Sequence, residues 1–238
     1  MQPAAESSEQ RAVLFDLDET LLDRTASLKR FALWQATGML RNQINHAQQF
    51  CDRFVELDDN GRVWKDRVYQ QLIDEFAIQG WSMQELLSSY ELCFSGFCQA
   101  KPGVSTAIKT LHQQGYRLGL ISNGKTPFQE RNFQALGLCE YFDVVIVSEA
   151  VELRKPDAAI FQLACERLDV PVSQAIFVGD NPIADIQGAQ QVGMKTVYIP
   201  GFFGEHCAEA DGVCSHFEQL PALVNGLFEC LPPTLTDK

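Results

Sequence analysis

The chain has 238 residues, 46% hydrophobic and 21% charged, with a formal net charge of −12. This suits a globular chain holding either one large domain or a core plus a smaller unit. The acidic balance argues against nonspecific binding to nucleic acid or anionic membrane surfaces, yet leaves a small anionic substrate open, because local Lys and Arg decide that. The 8 cysteines form no C-x-x-C pair. With no basic, apolar leader in residues 1–10, which read as a frayed tail, they are expected to be reduced thiols of a cytoplasmic protein, not a zinc or disulfide framework. No stretch approaches the roughly 18 apolar residues of a membrane span.

In chain order, Ala12-Val13-Leu14-Phe15 reads as a buried strand that stops at two carboxylates, Asp16 and Asp18. Desolvating an unpaired carboxylate is costly, so a buried strand ending this way points to a divalent cation, a proton relay, or both. Residues 25–40, 43–57, 61–78 and 83–98 carry apolar residues at helical spacing. In the third, Val63, Trp64, Val68, Leu72, Ile73 and Phe76 share one side, and Trp64 is expected in the core. Arg62 and Lys65 are expected on a solvated face, or facing an anionic substrate if the Gly61 loop turns that way. Ser82 with Glu85 three residues on resembles a capping box.

From Lys101-Pro102-Gly103 the pattern alternates between helix and strand. Strands are expected at 116–121, 144–148, 175–178 and 195–199, and helices at 104–114, 126–136, 157–168, 182–191 and 217–229. Asp157 is expected to cap the helix that follows it. Such alternation implies a doubly wound parallel α/β sheet covered on both faces. The expected organisation is an α/β core from 1–23 and 99–238, with a small all-helical cap, 24–98, inserted after the first strand.

Polar residues cluster where strands end: Asp16 and Asp18, Ser122 and Asn123, Lys155 in the loop after the third strand, and Asp180 with Asp185. In a parallel sheet these carboxyl ends share one rim, where ligands bind. The residue types suit phosphate, whose charge repels nucleophiles until cations screen it. Asp16 and Asp180 can supply oxygens to Mg²⁺. Asp18, offset by two, points to the same side as Asp16. Ser122 can donate to a phosphate oxygen, Gly124 lets backbone N–H groups approach it, and Lys155 adds a point charge.

Asp16-x-Asp18-x-Thr20, Ile121-Ser122-Asn123-Gly124, Lys155-Pro156 and Val178-Gly179-Asp180-x4-Asp185, in this order, resemble the four motifs of the haloacid dehalogenase (HAD) superfamily of hydrolases. The helical insert resembles the subfamily I cap. The resemblance implies Asp16 as the nucleophile that forms an aspartyl-phosphate. It implies Asp18 as the acid and later the base, its carbonyl helping to hold Mg²⁺. It further implies that Ser122 and the amides of Asn123 and Gly124 bind phosphate, Lys155 orients the nucleophile, Asp180 ligates the metal and Asp185 stands behind it. Glu19 departs from the pattern, since Gly is frequent at that place.

The function expected is Mg²⁺-dependent hydrolysis of a small phosphomonoester, with no nucleic-acid or membrane partner. A phosphoglucomutase-like phosphotransferase shares the motifs. A haloacid dehalogenase needs neither a leaving-group acid nor a metal, so Asp18 and Asp180 weigh against it. A phospho-aspartate signalling module has its acceptor after a later strand and lacks a cap of this size.

Overall fold

The computed structural model describes residues 10–229; the expectations for residues 1–9 and for Cys230 lie outside them. The apolar runs form six strands: β1 (Ala12–Phe15), β2 (Arg117–Ser122), β3 (Val144–Val147), β4 (Ala175–Gly179), β5 (Lys195–Tyr198) and β6 (Gly212–Val213). They pair in the order β3-β2-β1-β4-β5-β6, parallel throughout. The chain winds outward from β1 to β3, then returns to lay β4 against β1. This makes the carboxyl ends of β1 and β4 a topological switch point, the place where open α/β sheets bind ligands.

The helices are α1 (Arg24–Trp34), α2 (Ala47–Asp58), α3 (Lys65–Glu75), α4 (Met83–Cys93), α5 (Val104–Gln113), α6 (Phe128–Ala135), α7 (Ser148–Val151), α8 (Ala158–Leu168), α9 (Gly188–Gln190) and α10 (Leu220–Glu229). No helix among the described residues is long and apolar enough to cross a membrane. None of the seven described cysteines forms a disulfide with another described residue. Ser148, expected to end the third strand, instead opens α7. β6 was not expected, because two residues carry no readable alternation.

Alternation along β1 sends its side chains to both faces. Ala12 and Leu14 join Phe161, Ala164 and Phe177 in one core cluster, where the Phe161 and Phe177 rings meet edge to face at 5.1 Å. Phe15 faces the other way, with its ring 5.9 Å from Phe142. Burial of such side chains stabilises by about 1.5–3 kcal/mol each.

Contacts divide the chain into two compact units, 1–21 with 101–129 and 138–238, and 22–100 with 130–137. The sequence pattern assigns everything from 99 onward to the core; residues 130–137 group with the helical unit instead. In the helical unit the chain enters and leaves side by side, with Leu22 bridged to Ala100 and the Asp23 amide donating to the Gln99 carbonyl at 2.9 Å. Ser82 and Glu85 form the full capping box. Phe31, Tyr90, Phe94 and Phe97 make an aromatic core.

Trp64 corrects the sequence reading: it is 66% exposed. Helix α3 starts one residue later, and Trp64 sits in an extended conformation with ψ 136°. It is therefore out of phase with the buried stripe of Val68, Tyr69 and Leu72. Arg62 is exposed and pairs with Asp59 at 2.6 Å. Lys65 is neither solvated nor unpartnered, since its ammonium pairs with the buried Asp58. Asp58 also receives both Arg24 nitrogens, at 2.6 and 3.0 Å, and the Gly61 amide at 2.9 Å.

Candidate active site

Strand β1 ends at Phe15, so Asp16 is the first residue past it, and its amide still donates to the Val178 carbonyl of β4 at 3.0 Å. Strand β4 ends at Gly179, so Asp180 leaves the sheet beside it. Sheet register alone thus brings the first and last motifs together.

Lys155 Nζ lies 2.7 Å from Asp16 Oδ1 and 2.7 Å from Asp185 Oδ1. The second contact is an ion pair without hydrogen-bond alignment. Asp185 Oδ2 accepts the Asn181 amide at 3.0 Å, and a Cβ at Gly179 would collide with this carboxylate, so the position requires glycine. Asn181 Oδ1 accepts the Ile183 and Ala184 amides at 3.0 and 2.9 Å, capping the π-helical turn Pro182–Gln187 that carries Asp185 inward.

Asp16, Asp180 and Asp185 are all buried, and their oxygens lie within 4.8 Å of one another. Burial pushes the Asp16 carboxyl up to about 7 despite the opposing pull of Lys155, with Asp185 adding to the rise. Burial first, then Asp16 and Asp185, push Asp180 up to about 9. Burial opposes the Lys155 charge, but the Asp16 and Asp185 carboxylates outweigh it and raise its pKa. Three acids thus surround one cation, and no ion pair reaches Asp180 among the described residues. An uncompensated buried carboxylate cluster of oxygen donors suits a hard divalent cation such as Mg²⁺.

The second motif turns inward at the end of β2. Asn123 is spent on architecture: its Nδ2 donates to the Lys155 carbonyl at 2.9 Å and its Oδ1 accepts the Lys155 amide at 3.0 Å. This two-way latch fixes the loop that carries the lysine. The Gly124 amide, expected to face phosphate, donates to Ser148 Oγ at 3.0 Å. Ser122 is buried at the rim. Glu19 takes φ 59°, left-handed backbone that glycine adopts without strain, and its carboxylate lies 3.4 Å from Lys101 Nζ. Asp157 caps α8 by accepting the Ala159 amide at 3.0 Å.

Three residues escaped the sequence reading. Ser148 holds Gly124, and Asn181 shapes the Asp185 turn. Gln129 Nε2 lies 2.6 Å from Asp18 Oδ2 and 2.9 Å from Ser122 Oγ. The available signal for Gln129 was a polar side chain sharing the buried spacing of Asn132 and Phe133 on α6.

The sequence matches the haloacid dehalogenase-like hydrolase family over residues 13–199. The chain belongs to that family. Among curated relatives, a ribulose-1,5-bisphosphate 5-phosphatase of Halopiger xanaduensis is 38% identical over 201 residues, 78% of this chain and 83% of that protein. A glyceraldehyde 3-phosphate phosphatase of Pyrococcus abyssi is 27% identical over 198 residues, 79% of this chain and 81% of that protein. Among solved structures, a HAD phosphatase from Thermococcus onnurineus aligns with TM-score 0.63 at 27% identity, covering 91% of this chain and 99% of that one. The α/β sheet with its covering helices is the fold of this haloacid dehalogenase-like hydrolase's relatives, and named phosphatases stand among them.

Proposed function

We propose that the protein is a Mg²⁺-dependent phosphatase that hydrolyses a small phosphomonoester through an aspartyl-phosphate on Asp16. The observation that carries this reading is the excess of buried carboxylates at the switch point, three around the single ammonium of Lys155. Asp16, Asp180 and the Asp18 carbonyl would hold Mg²⁺, with Asp185 adjoining Asp180. When bound, the ion screens phosphate charge and lowers the repulsion toward an incoming carboxylate.

The chain's own groups do the rest. Lys155 holds Asp16 Oδ1 at 2.7 Å and orients the carboxylate for in-line attack on phosphorus. Ser122 donates its hydroxyl to a phosphate oxygen, aided by the Asn123 backbone N–H. Asp18 gives its proton to the leaving oxygen as the P–O bond breaks. It then takes a proton from water, which attacks the acyl phosphate and restores Asp16. Residues 24–98 act as a cap that keeps bulk water from this intermediate. The substrate class is a compact phosphorylated sugar or triose, in line with the substrates named for the Halopiger xanaduensis and Pyrococcus abyssi relatives.

The test is hydrolysis of 4-nitrophenyl phosphate with and without Mg²⁺, then a panel of sugar phosphates. Turnover that needs Mg²⁺ and disappears in Asp16→Asn is expected. Unchanged turnover in Asp16→Asn, or release of halide from 2-haloacids without metal, would sink the reading.

A further inference from the structure

We propose that Gln129 is a positioning residue that decides which oxygen of Asp18 carries the transferable proton. The inference rests on the phosphatase reading of Asp18 given above. Gln129 is 3% exposed and lies at the start of α6. Its Nε2 donates to Asp18 Oδ2 at 2.6 Å and to Ser122 Oγ at 2.9 Å. A Cβ at Gly124 would stand 2.6 Å from Gln129 Cγ, so the glycine of the second motif makes room for this side chain.

An amide nitrogen has two protons to give and accepts nothing, so both bonds have a fixed direction. Oδ2 of Asp18 is held as an acceptor. The carbonyl oxygen of a carboxyl group is its better acceptor, so in the acid form this bond favours the proton on Oδ1, and it passes from there to the leaving oxygen as that oxygen's bond to phosphorus breaks. The electron pair of the O–H bond stays on the carboxylate, whose new charge the same amide stabilises. Ser122 Oγ accepts from the amide, so its own hydrogen is left to donate to a phosphate oxygen. One side chain thereby sets the proton direction of two catalytic groups. A merely structural glutamine would affect all substrates alike.

The experiment compares kcat/KM for phenyl phosphate and 4-nitrophenyl phosphate at saturating Mg²⁺, in the wild type, Gln129→Met and Gln129→Ala. The two substrates have nearly the same shape, but phenolate is far the more basic leaving group and needs the acid more. The quantity kcat/KM ends at formation of the acyl phosphate, before Asp18 acts as base. Each ratio is taken within one preparation, so any misfolded fraction cancels. Methionine keeps the length of the side chain should alanine fold poorly. Both variants are expected to lose phenyl phosphate activity by about tenfold more than 4-nitrophenyl phosphate activity. Equal losses on the two substrates would overturn the inference while leaving the phosphatase reading standing. A wild type that turns over neither would sink that reading, and this inference with it.

Discussion

Among the described residues each compact unit buries a cluster of charges, and the two are balanced in opposite senses. In the helical unit a single carboxylate, Asp58, is held by Arg24 and Lys65. In the core unit a single ammonium, Lys155, faces Asp16 and Asp185, with Asp180 beside them. Burial alone would raise the Asp58 pKa, but the Arg24 and Lys65 contacts outweigh it and lower it. Burial and mutual repulsion raise Asp16 and Asp180. The first cluster is satisfied by the chain itself and contributes to folding. The second is left short of positive charge by the fold, which is what the proposed Mg²⁺ site requires.

The sharpest way to break this contrast is to remove one member of each. Asp180→Asn should cut Mg²⁺-dependent turnover by about a hundredfold or more. It should also stabilise the metal-free protein by about 1 kcal/mol or more, because asparagine removes the cost of protonating, or burying as a charge, a carboxyl raised to about 9. Arg24→Met should do the reverse: about 2–3 kcal/mol less stable in urea, since Asp58 loses both guanidinium hydrogen bonds and keeps only the Lys65 ammonium and the Gly61 amide. If Asp180→Asn destabilised the metal-free protein, the core cluster would not be short of positive charge.

A smaller effect, readable without mutation, is the dependence of stability on pH. Asp58 has a lowered folded pKa, so its contribution is fully present above the ordinary value of 3.8 and is lost as pH falls through the folded value. Asp16 and Asp180 have folded values raised to about 7 and about 9, so their contribution is present below 3.8 and is lost as pH rises through those values. Between pH 5 and 8 Asp58 is therefore constant and the core cluster alone changes. Metal-free protein in chelator should unfold at lower urea at about pH 8 than at about pH 5. Added Mg²⁺ at about 100 times its Kd should return about 2.7 kcal/mol at the higher pH. A metal-free protein whose stability rises across that window would contradict the raised values.

The two clusters also differ in how much of them the sequence discloses. Asp16, Asp18 and Asp180 stand out because each ends an apolar run, and Ser122 with Lys155 follows once the strands are taken as parallel. The adjacency of β1 and β4 was not legible and comes from the strand order of the structure. Asp58 pairs with a residue 34 positions away, a separation at which no local pattern operates, so the helical cluster was invisible and Lys65 read as a surface charge. Gln129 was hidden for a different reason. Helical periodicity identifies which side is buried, but not which buried polar group meets a carboxylate. Trp64 misled because spacing was counted through a helix start. Its extended backbone breaks the 3.6-residue phase, and a helix start placed at 61 instead of 65 turns an exposed tryptophan into an apparent core one.

The smallest expected effect separates the two cations of the satisfied cluster. In Lys65→Met, Asp58 would keep both Arg24 nitrogens and the Gly61 amide, so no buried charge is orphaned. The lost partner is one of several, and the cost should be about 1 kcal/mol in a urea melt. The same substitution tests whether Lys65 serves an anionic substrate, because its ammonium is already committed to Asp58. The KM for whichever sugar phosphate the panel selects should stay within about twofold of wild type. A KM rise of tenfold or more with stability unchanged would show the lysine leaving Asp58 for the substrate. The helical cluster would then be part of the binding machinery, and the contrast between a folding cluster and a functional one would fail on its helical side.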